Sequence, residues 1–228
     1  MGITSAKALY RVRSIIGQLK SGHAGTLDPA ASGVLVLCLG AATKLVESIM
    51  GQPKVYRATA RLDVTSESFD SDRPLHPCAI ASIPDAQQIA AALATIERSV
   101  EQLPPSVSAL KIGGVPAYKM RAADAQAALA PRPVKIHWLR LHTYDWPDID
   151  FEVCCGRGTY IRAIVRDLGA FLAVGGCLTS LVRTRVGPFE VENAWTFERL
   201  AVAEPSACLI PLSAARDLLE ACPKPENG

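Results

Sequence analysis

The segment from residue 22 to residue 44 constrains the fold most strongly, because a glycine-punctuated loop leads there into a short apolar run. In the loop, Pro29 biases the preceding Asp28 towards an extended conformation rather than a helix interior. The run Val34–Leu39 is short, apolar and partly β-branched, which predicts a buried strand that ends at Gly40. The segment therefore predicts a stiff loop that carries a carboxylate to the start of a core strand.

This loop has two interpretations. In the functional one, a rigid scaffold presents Asp28, with His23 nearby, as a reactive group. In the structural one, Asp28 begins an ordinary Asx-type turn before a core strand, and His23 is a simple loop histidine. The residue pattern alone favours neither.

The same segment resembles the signature loop of the bacterial tRNA pseudouridine-55 synthases of the TruB type. The matching residues are Gly22-His23-Ala24-Gly25-Thr26-Leu27-Asp28-Pro29, Ser32-Gly33-Val34-Leu35, Leu39-Gly40 and Ala42-Thr43-Lys44. The resemblance implies that Asp28 is the catalytic nucleophile and that His23 contacts the RNA backbone near the flipped nucleotide. It also implies an α+β fold, with a mixed, mainly antiparallel sheet flanked by helices and an RNA-gripping insertion.

The chain has 228 residues and 49% hydrophobic content, which is enough for one large domain or two small ones. The resemblance covers nearly all of it. It implies a catalytic domain over residues 1–212, with the insertion at about residues 104–133 and a short tail at residues 213–228. The apolar strand and Lys-Pro pair usual in the family are not found before Gly2, and we expect no PUA-type module after the catalytic domain.

Cysteine and charge content narrow the class of protein. The seven cysteines show neither a Cys-x-x-Cys pair nor a paired histidine spacing, so the sequence predicts no disulfide framework and no zinc site. The longest apolar run is far below the roughly 20 residues of a membrane span, and no signal-type stretch is found. We therefore expect a cytoplasmic protein that does not bind a membrane. The net charge of +2 is small, so contact with nucleic acid requires local clusters of cations.

A helix is predicted near the N-terminus, where Thr4 or Ser5 can cap it. Its apolar positions recur at helical spacing; they are Leu9, Val12, Ile15, Ile16 and Leu19. The cations of this region are Lys7, Arg11, Arg13 and Lys20. These cations form either a solvated face, which is the commoner case, or an edge that faces RNA phosphates.

Residues 55–64 alternate between apolar and polar, which predicts a half-buried strand. Tyr56 shares the apolar face, where a phenol needs a hydrogen-bond partner or a cavity for its hydroxyl. A core tyrosine is the ordinary outcome of such a pattern. The segment Lys54–Leu62, however, resembles the second motif of the family, whose tyrosine stacks on the target base and is a candidate for proton transfer. The resemblance gives that role to Tyr56.

A predicted strand at residues 151–155 turns through glycines into a predicted helix, whose apolar residues recur between residues 161 and 172. Side chains converge on a cleft at such a junction. An arginine at this helix start, Arg162, would orient Asp28 by a forked hydrogen bond and keep it ionised if the two lay together. The alternative is a surface arginine, which the helix dipole disfavours only slightly.

The junction also resembles the third motif of the family, in the residues Gly158-Thr159-Tyr160-Ile161-Arg162 and Asp167-Leu168-Gly169. The resemblance implies that Arg162 pairs with the catalytic aspartate and that Tyr160 lines the uracil pocket. The following segment, residues 178–189, continues the match and places Leu181 as a wall of the active site.

Periodicity predicts further elements. They are helices at Ala41–Met50 and Pro84–Val100. The alanine-rich segment Ala117–Leu129 predicts another helix, and a strand opens at residues 131–136 and runs to about Tyr144. The apolar stripe of the second helix comprises Ile89, Leu93, Ile96 and Val100. The acidic loop at residues 66–72 receives no role.

The implied reaction breaks the N1–C1′ bond of a flipped-out uridine in the T-arm loop of tRNA, turns the ring and joins C5 to C1′. Tyr56 and Tyr160 would pack the ring. The candidate phosphate contacts are Lys20, Arg157, Arg166 and Arg183. We expect a monomer that acts on tRNA without a metal, an organic cofactor or a protein partner.

Two other functions are consistent with the same residues. A catalytically weak or silent tRNA-binding or remodelling module of the same fold would retain its effect in an Asp28→Asn variant. An enzyme acting on a small glycosidic or phosphorylated substrate would use the same cleft without extended cationic flanks.

Overall fold

The computed structural model of the chain describes residues 2–17, 20–108, 110–121, 124 and 127–223. In this part of the chain the α-helices are α1 (Ser5–Ile16), α2 (Val46–Gly51), α3 (Ala86–Glu97), α4 (Ile161–Phe171), α5 (Phe197–Val202) and α6 (Leu212–Ala221). Short 3₁₀ helices lie at Gly40–Leu45, Ala117–Lys119, Val191–Asn193 and Pro205–Cys208. None of the described helices combines the length and the apolar character that crossing a bilayer requires.

The strands are mostly short. They are β1 (Ser21–His23), β2 (Ser32–Gly33), β3 (Leu37–Leu39), β4 (Lys54–Arg61), β5 (Val64–Thr65), β6 (His76–Pro77), β7 (Glu101–Gln102), β8 (Lys111–Ile112), β9 (Val115–Pro116), β10 (Arg132–Pro133), β11 (Ile136–Asp145), β12 (Asp148–Cys155), β13 (Cys177–Val186) and β14 (Phe189–Glu190).

The chain divides into two compact units. The first comprises Met1–Tyr56 and Val182–Glu226, and the second contains Arg57–Leu181. The chain passes from the first unit to the second within β4 and returns within β13.

In the first unit, α1 confirms the predicted N-terminal helix. The Thr4 hydroxyl accepts a hydrogen bond from the backbone N–H of Lys7 at 3.2 Å, which is the predicted cap. The helix ends at Gly17, whose φ of 73° gives the left-handed conformation that a glycine adopts without strain. Leu19, the last predicted apolar position, lies outside the described residues.

The predicted strand Val34–Leu39 is wrong in its first half. Only Leu37–Leu39 forms a strand, β3, which pairs antiparallel with β1. The preceding β2 pairs in parallel with β13, and the backbone N–H of Val34 bonds the carbonyl oxygen of Arg183 at 2.8 Å. The chain thus exchanges one neighbouring strand for another in the middle of the apolar run, which interrupts the regular strand.

The core of the first unit collects around this exchange. Its buried members are Ala24, Val34, Cys38, Ile49 and Val186. Burial of the Cys38 thiol raises its pKa. The predicted helix Ala41–Met50 is present as the 3₁₀ helix Gly40–Leu45 followed by α2.

In the second unit, the sheet strands follow one another in the order β11, β12, β4 and β13. The alternation predicted for residues 55–64 holds in this unit, since Ala58, Ala60 and Leu62 are buried while Arg57 is exposed. Strand β12, which pairs antiparallel with β11, buries Phe151 and Val153 in the same period-2 pattern. Mixed α/β structure with a mainly antiparallel sheet flanked by helices confirms the predicted fold class.

Helix α3 covers this sheet and contacts both β11 and α4. Its predicted stripe is confirmed for Ile89, Leu93 and Ile96, which are buried. Val100 lies beyond the end of the helix and is exposed, so its predicted core position is wrong. Of the predicted helix Ala117–Leu129, the turn Ala117–Lys119 is a short 3₁₀ helix and residues 124, 127 and 128 are helical, while residues 122, 123, 125 and 126 lie outside the described part.

Candidate active site

In the first unit, Asp28 lies at the start of a tight turn, in which the N–H of Ala31 bonds the carbonyl oxygen of Asp28 at 3.0 Å. The side chain of Asp28 is half-buried. Next to it, the carbonyl oxygen of Pro29 accepts a bond from the N–H of Gly2 at 2.8 Å. This bond is made by the main chain, so it fixes the backbone that carries the Asp28 side chain and does not decide between the structural and the functional interpretation.

The residue before this turn is held by the first residue of α1. The Ser5 hydroxyl accepts a hydrogen bond from the Leu27 N–H at 2.9 Å and donates one to the Leu27 carbonyl oxygen at 3.1 Å. Ser5 is buried, so water does not compete for these bonds. Leu27, and with it the approach to Asp28, is thereby tied to the N-terminus of α1.

Arg183 was predicted to contact phosphate, and the structure contradicts this. Its side chain is 1% exposed. Its Nε donates to the carbonyl oxygen of Val34 at 2.7 Å, and its Nη1 donates to that of Thr26 at 3.1 Å. Since a buried guanidinium is not accessible to RNA, Arg183 acts on the loop that carries Asp28.

The other predicted contacts of this unit lie near its surface. His23 is half-buried in β1, and its Nδ1 is buried without a hydrogen-bond partner among the described residues. Lys20 is exposed just before β1, as a phosphate contact requires. Tyr56 is half-buried in β4 at the last position of this part of the unit.

A cavity of about 1360 Å³ opens within the first unit, and Asp28 borders it. Its walls are mainly apolar and come from α1, the segment of residues 27–42 and the segment of residues 188–218. The volume exceeds that of typical small-ligand pockets, about 300–1,000 Å³. The predicted wall residues Tyr56, Tyr160 and Leu181 are not among the described residues that line it.

In the second unit, Arg162 is buried, with 6% of its surface exposed, which excludes the alternative of a surface arginine. It is the second residue of α4. Its Nη1 donates to the carbonyl oxygens of Ser68 at 3.1 Å and of Val107 at 2.9 Å. The acidic loop that received no role therefore contributes a backbone carbonyl to the position of this arginine. The pairing of Arg162 with Asp28 stays a prediction.

Tyr160 caps the same helix and is half-buried. Its backbone is bonded on both sides to the side chain of Gln102, which the sequence reasoning missed. No sequence pattern marks this contact, because Gln102 is a single polar residue in a proline-rich stretch and its partner lies 58 residues further along the chain. Leu181 is buried in β13, in the part that belongs to the second unit.

The two remaining predicted phosphate contacts differ in exposure. Arg157 is exposed next to Gly158, whose φ of 86° makes the turn after β12. Arg166 pairs with Asp167 at 2.7 Å and lies over the ring of Phe69, and its Nη1 is buried. Burial raises the pKa of Asp167, while the charge of Arg166 and its hydrogen bond act in the opposite direction. The exposed position of Arg157 is consistent with a phosphate contact. The partly buried, paired position of Arg166 is not.

The described residues contain no group of three or more His, Cys, Asp or Glu side chains that could hold a metal ion. The side chains predicted for the site supply a carboxylate, a guanidinium and phenol groups. The described geometry therefore comprises a turn-borne carboxylate in the first unit and, in the second, a buried arginine next to a half-buried tyrosine.

Two family models match the chain. The N-terminal domain of the TruB family pseudouridylate synthases matches residues 13–161, and the C-terminal domain of tRNA pseudouridylate synthase B matches residues 162–212. The chain belongs to the TruB family of pseudouridylate synthases.

Curated relatives agree with this assignment. The tRNA pseudouridine synthase B of Syntrophotalea carbinolica is 40% identical over 204 residues, which is 90% of this chain and 67% of the relative. That of Rhodococcus jostii is 44% identical over 213 residues, or 91% of this chain and 70% of the relative.

Solved structures extend the comparison to the fold. A chain in the crystal structure of a Cbf5-Nop10-Gar1 complex matches with a TM-score of 0.66 and 28% identity, over 86% of this chain and 50% of that one. A chain in an H/ACA RNP bound to a substrate RNA containing 2′-deoxyuridine matches with a TM-score of 0.63 and 26% identity, over 86% and 48%. This chain spans about half the length of the solved chains that it matches.

Proposed function

We propose that this chain is a tRNA pseudouridine synthase that isomerises the uridine at position 55, in the T-arm loop, with Asp28 as nucleophile. The observation that carries the proposal is the tight turn at Asp28, inside the segment that the TruB family model matches. The catalytic region comprises residues 1–212, and we expect a monomer acting in the cytoplasm.

The reaction is an isomerisation without net loss of the base. The N1–C1′ bond breaks, the ring turns within the site, and C5 bonds C1′. The C5 hydrogen then leaves as a proton, and N1 gains one, so atoms and charge balance. Asp28 attacks either C1′ of the sugar or C6 of the base. Attack at C1′ has the chemical precedent of the retaining glycosidases.

A uridine in an RNA loop must first leave its stack, which costs a few kcal/mol. Tyr56 and Tyr160 recover part of this by packing the ring, and Leu181 forms a wall. Arg162 orients Asp28 and keeps it ionised, while His23 contacts the RNA backbone. The exposed cations Lys20 and Arg157 bind phosphates.

Tritium release from tRNA that carries [5-³H]uridine tests the proposal. We expect release by the wild type, no release by Asp28→Asn, and wild-type release by Asp217→Asn, which removes an exposed carboxylate on α6. Equal binding of tRNA by Asp28→Asn with no release by the wild type would instead identify a silent binding module. Comparison of full-length tRNA with an isolated T-arm hairpin shows which part of the tRNA is recognised.

A further inference from the structure

We infer that Arg183 and Ser5 are positioning residues that fix the loop carrying Asp28, here called the Asp28 loop and defined as residues 24–34. The inference rests on the proposed function, because it takes Asp28 as the nucleophile. Arg183 and Ser5 would set the rate of the chemical step without touching RNA.

The side chain of Arg183 bonds the Asp28 loop on both sides of Asp28. Its Nε and Nη1 bond the carbonyl oxygens of Val34 and Thr26, which lie on opposite sides of Asp28 in the sequence. A guanidinium presents several donors in a fixed plane, so one side chain can hold two carbonyls at a set separation. A lysine ammonium is a single point on a flexible stem and does not reproduce this geometry.

The backbone of Arg183 holds the same loop. Its carbonyl oxygen accepts a bond from Val34 N–H at 2.8 Å, and Arg183 pairs with Gly33 in the parallel β2–β13 register. A Cβ at Gly33 would overlap that oxygen, so the two backbones approach too closely for any other residue. Side chain and main chain of one residue therefore fix the exit of the loop.

Ser5 fixes the approach to Asp28 independently. Its hydroxyl makes both of its bonds to the backbone of Leu27, the residue directly before Asp28, and Ser5 is 5% exposed. The backbone on both sides of Asp28 is thus held by buried side chains from α1 and β13. Displacement of a reacting group by about 1 Å can cost about a hundredfold in rate.

The test compares Arg183→Lys and Ser5→Ala with Arg185→Lys, a matched control two residues further along β13. Single-turnover tritium release is measured with saturating tRNA, at a temperature where thermal melts show each variant fully folded. We expect the saturating rate to fall about 10- to 100-fold in Arg183→Lys and to fall in Ser5→Ala, with wild-type tRNA affinity. Arg185→Lys should retain the wild-type rate.

A phosphate contact would give a different result. Loss of one phosphate contact weakens tRNA binding and lowers the slope of log affinity against log salt by about 1. If Arg183→Lys shows that change with an unaltered saturating rate, the inference is overturned. A wild-type rate in both Arg183→Lys and Ser5→Ala also overturns it.

The two proposals fail separately. If the wild type releases no tritium, the proposed function fails first. If the wild type is active and Asp28→Asn is not, while Ser5→Ala and Arg183→Lys keep the wild-type rate, only the positioning inference fails. If Arg183→Lys does not fold, the saturating rate of Ser5→Ala tests the positioning inference alone. The Ser5→Ala variant removes a hydroxyl and leaves the β2–β13 contact in place.

Discussion

The side-chain amide of Gln102 forms a pair of hydrogen bonds with the backbone of Tyr160. Its Oε1 accepts from the Tyr160 N–H at 2.9 Å, and its Nε2 donates to the Tyr160 carbonyl oxygen at 3.1 Å. Because Tyr160 is the N-cap of α4, this N–H has no partner within the helix. Gln102 therefore satisfies the helix end and sets the direction in which the predicted stacking tyrosine leaves the backbone.

Replacement of Gln102 by methionine should weaken both stability and catalysis. Methionine keeps the volume but leaves the half-buried N–H and carbonyl of Tyr160 without these partners, at a cost of about 1–3 kcal/mol. Urea denaturation measures the loss, and tritium release measures the rate. Gln87→Met, on the exposed side of α3, is the control and should change neither. Equal unfolding free energies for Gln102→Met and wild type would contradict this role.

Gly33→Ala should destabilise the protein more than the same substitution at Gly114, another glycine in the left-handed conformation. Both Gly33 and Gly114 have positive φ, of +100° and +87°, but a Cβ meets backbone atoms only at Gly33. The left-handed conformation alone costs an alanine about 1–2 kcal/mol, which is the loss expected for Gly114→Ala. The difference between the two variants in urea denaturation isolates the contact with Arg183. Equal losses would mean that the loop relaxes away from β13.

Arg162→Lys should lower the rate of pseudouridine formation strongly. The lysine keeps a positive charge but cannot hold the carbonyl oxygens of Ser68 and Val107 while also orienting a carboxylate. Single-turnover rates at saturating tRNA check this, with Arg57→Lys as control, since Arg57 is 59% exposed in a surface ion pair. A wild-type rate in Arg162→Lys would show that the charge alone suffices.

Local patterns predicted those elements whose residues are close in sequence. The N-terminal helix, the alternation of β4 and the stripe of α3 each depend on short periodicities and on caps within a few residues. The apolar run after Asp28 could not be resolved this way. Its strand is interrupted by Arg183, about 150 residues away, and no local signal marks such a partner.

The predicted site shows the same limit. The resemblance selected Asp28 and Arg162 as a reacting pair but gave no sign of the contacts that hold each of them. Ser5 was predicted only as a helix cap and Arg183 as a phosphate contact, and the Val107 carbonyl was assigned no role. A backbone carbonyl is available from any residue, so the contact of position 107 with Arg162 does not depend on the side chain of Val107.

His137 should make the fold less stable as the solution becomes acidic. Burial lowers its pKa first, and the charge of Lys135 lowers it further. Below its ordinary pKa of about 6.5, the unfolded chain takes up the proton more readily than the folded one, so the unfolding free energy falls with falling pH. Urea denaturation from pH 5 to pH 7 should show this fall in wild type and a flatter profile in His137→Gln. Parallel profiles for wild type and His137→Gln would mean that another group carries the acid sensitivity.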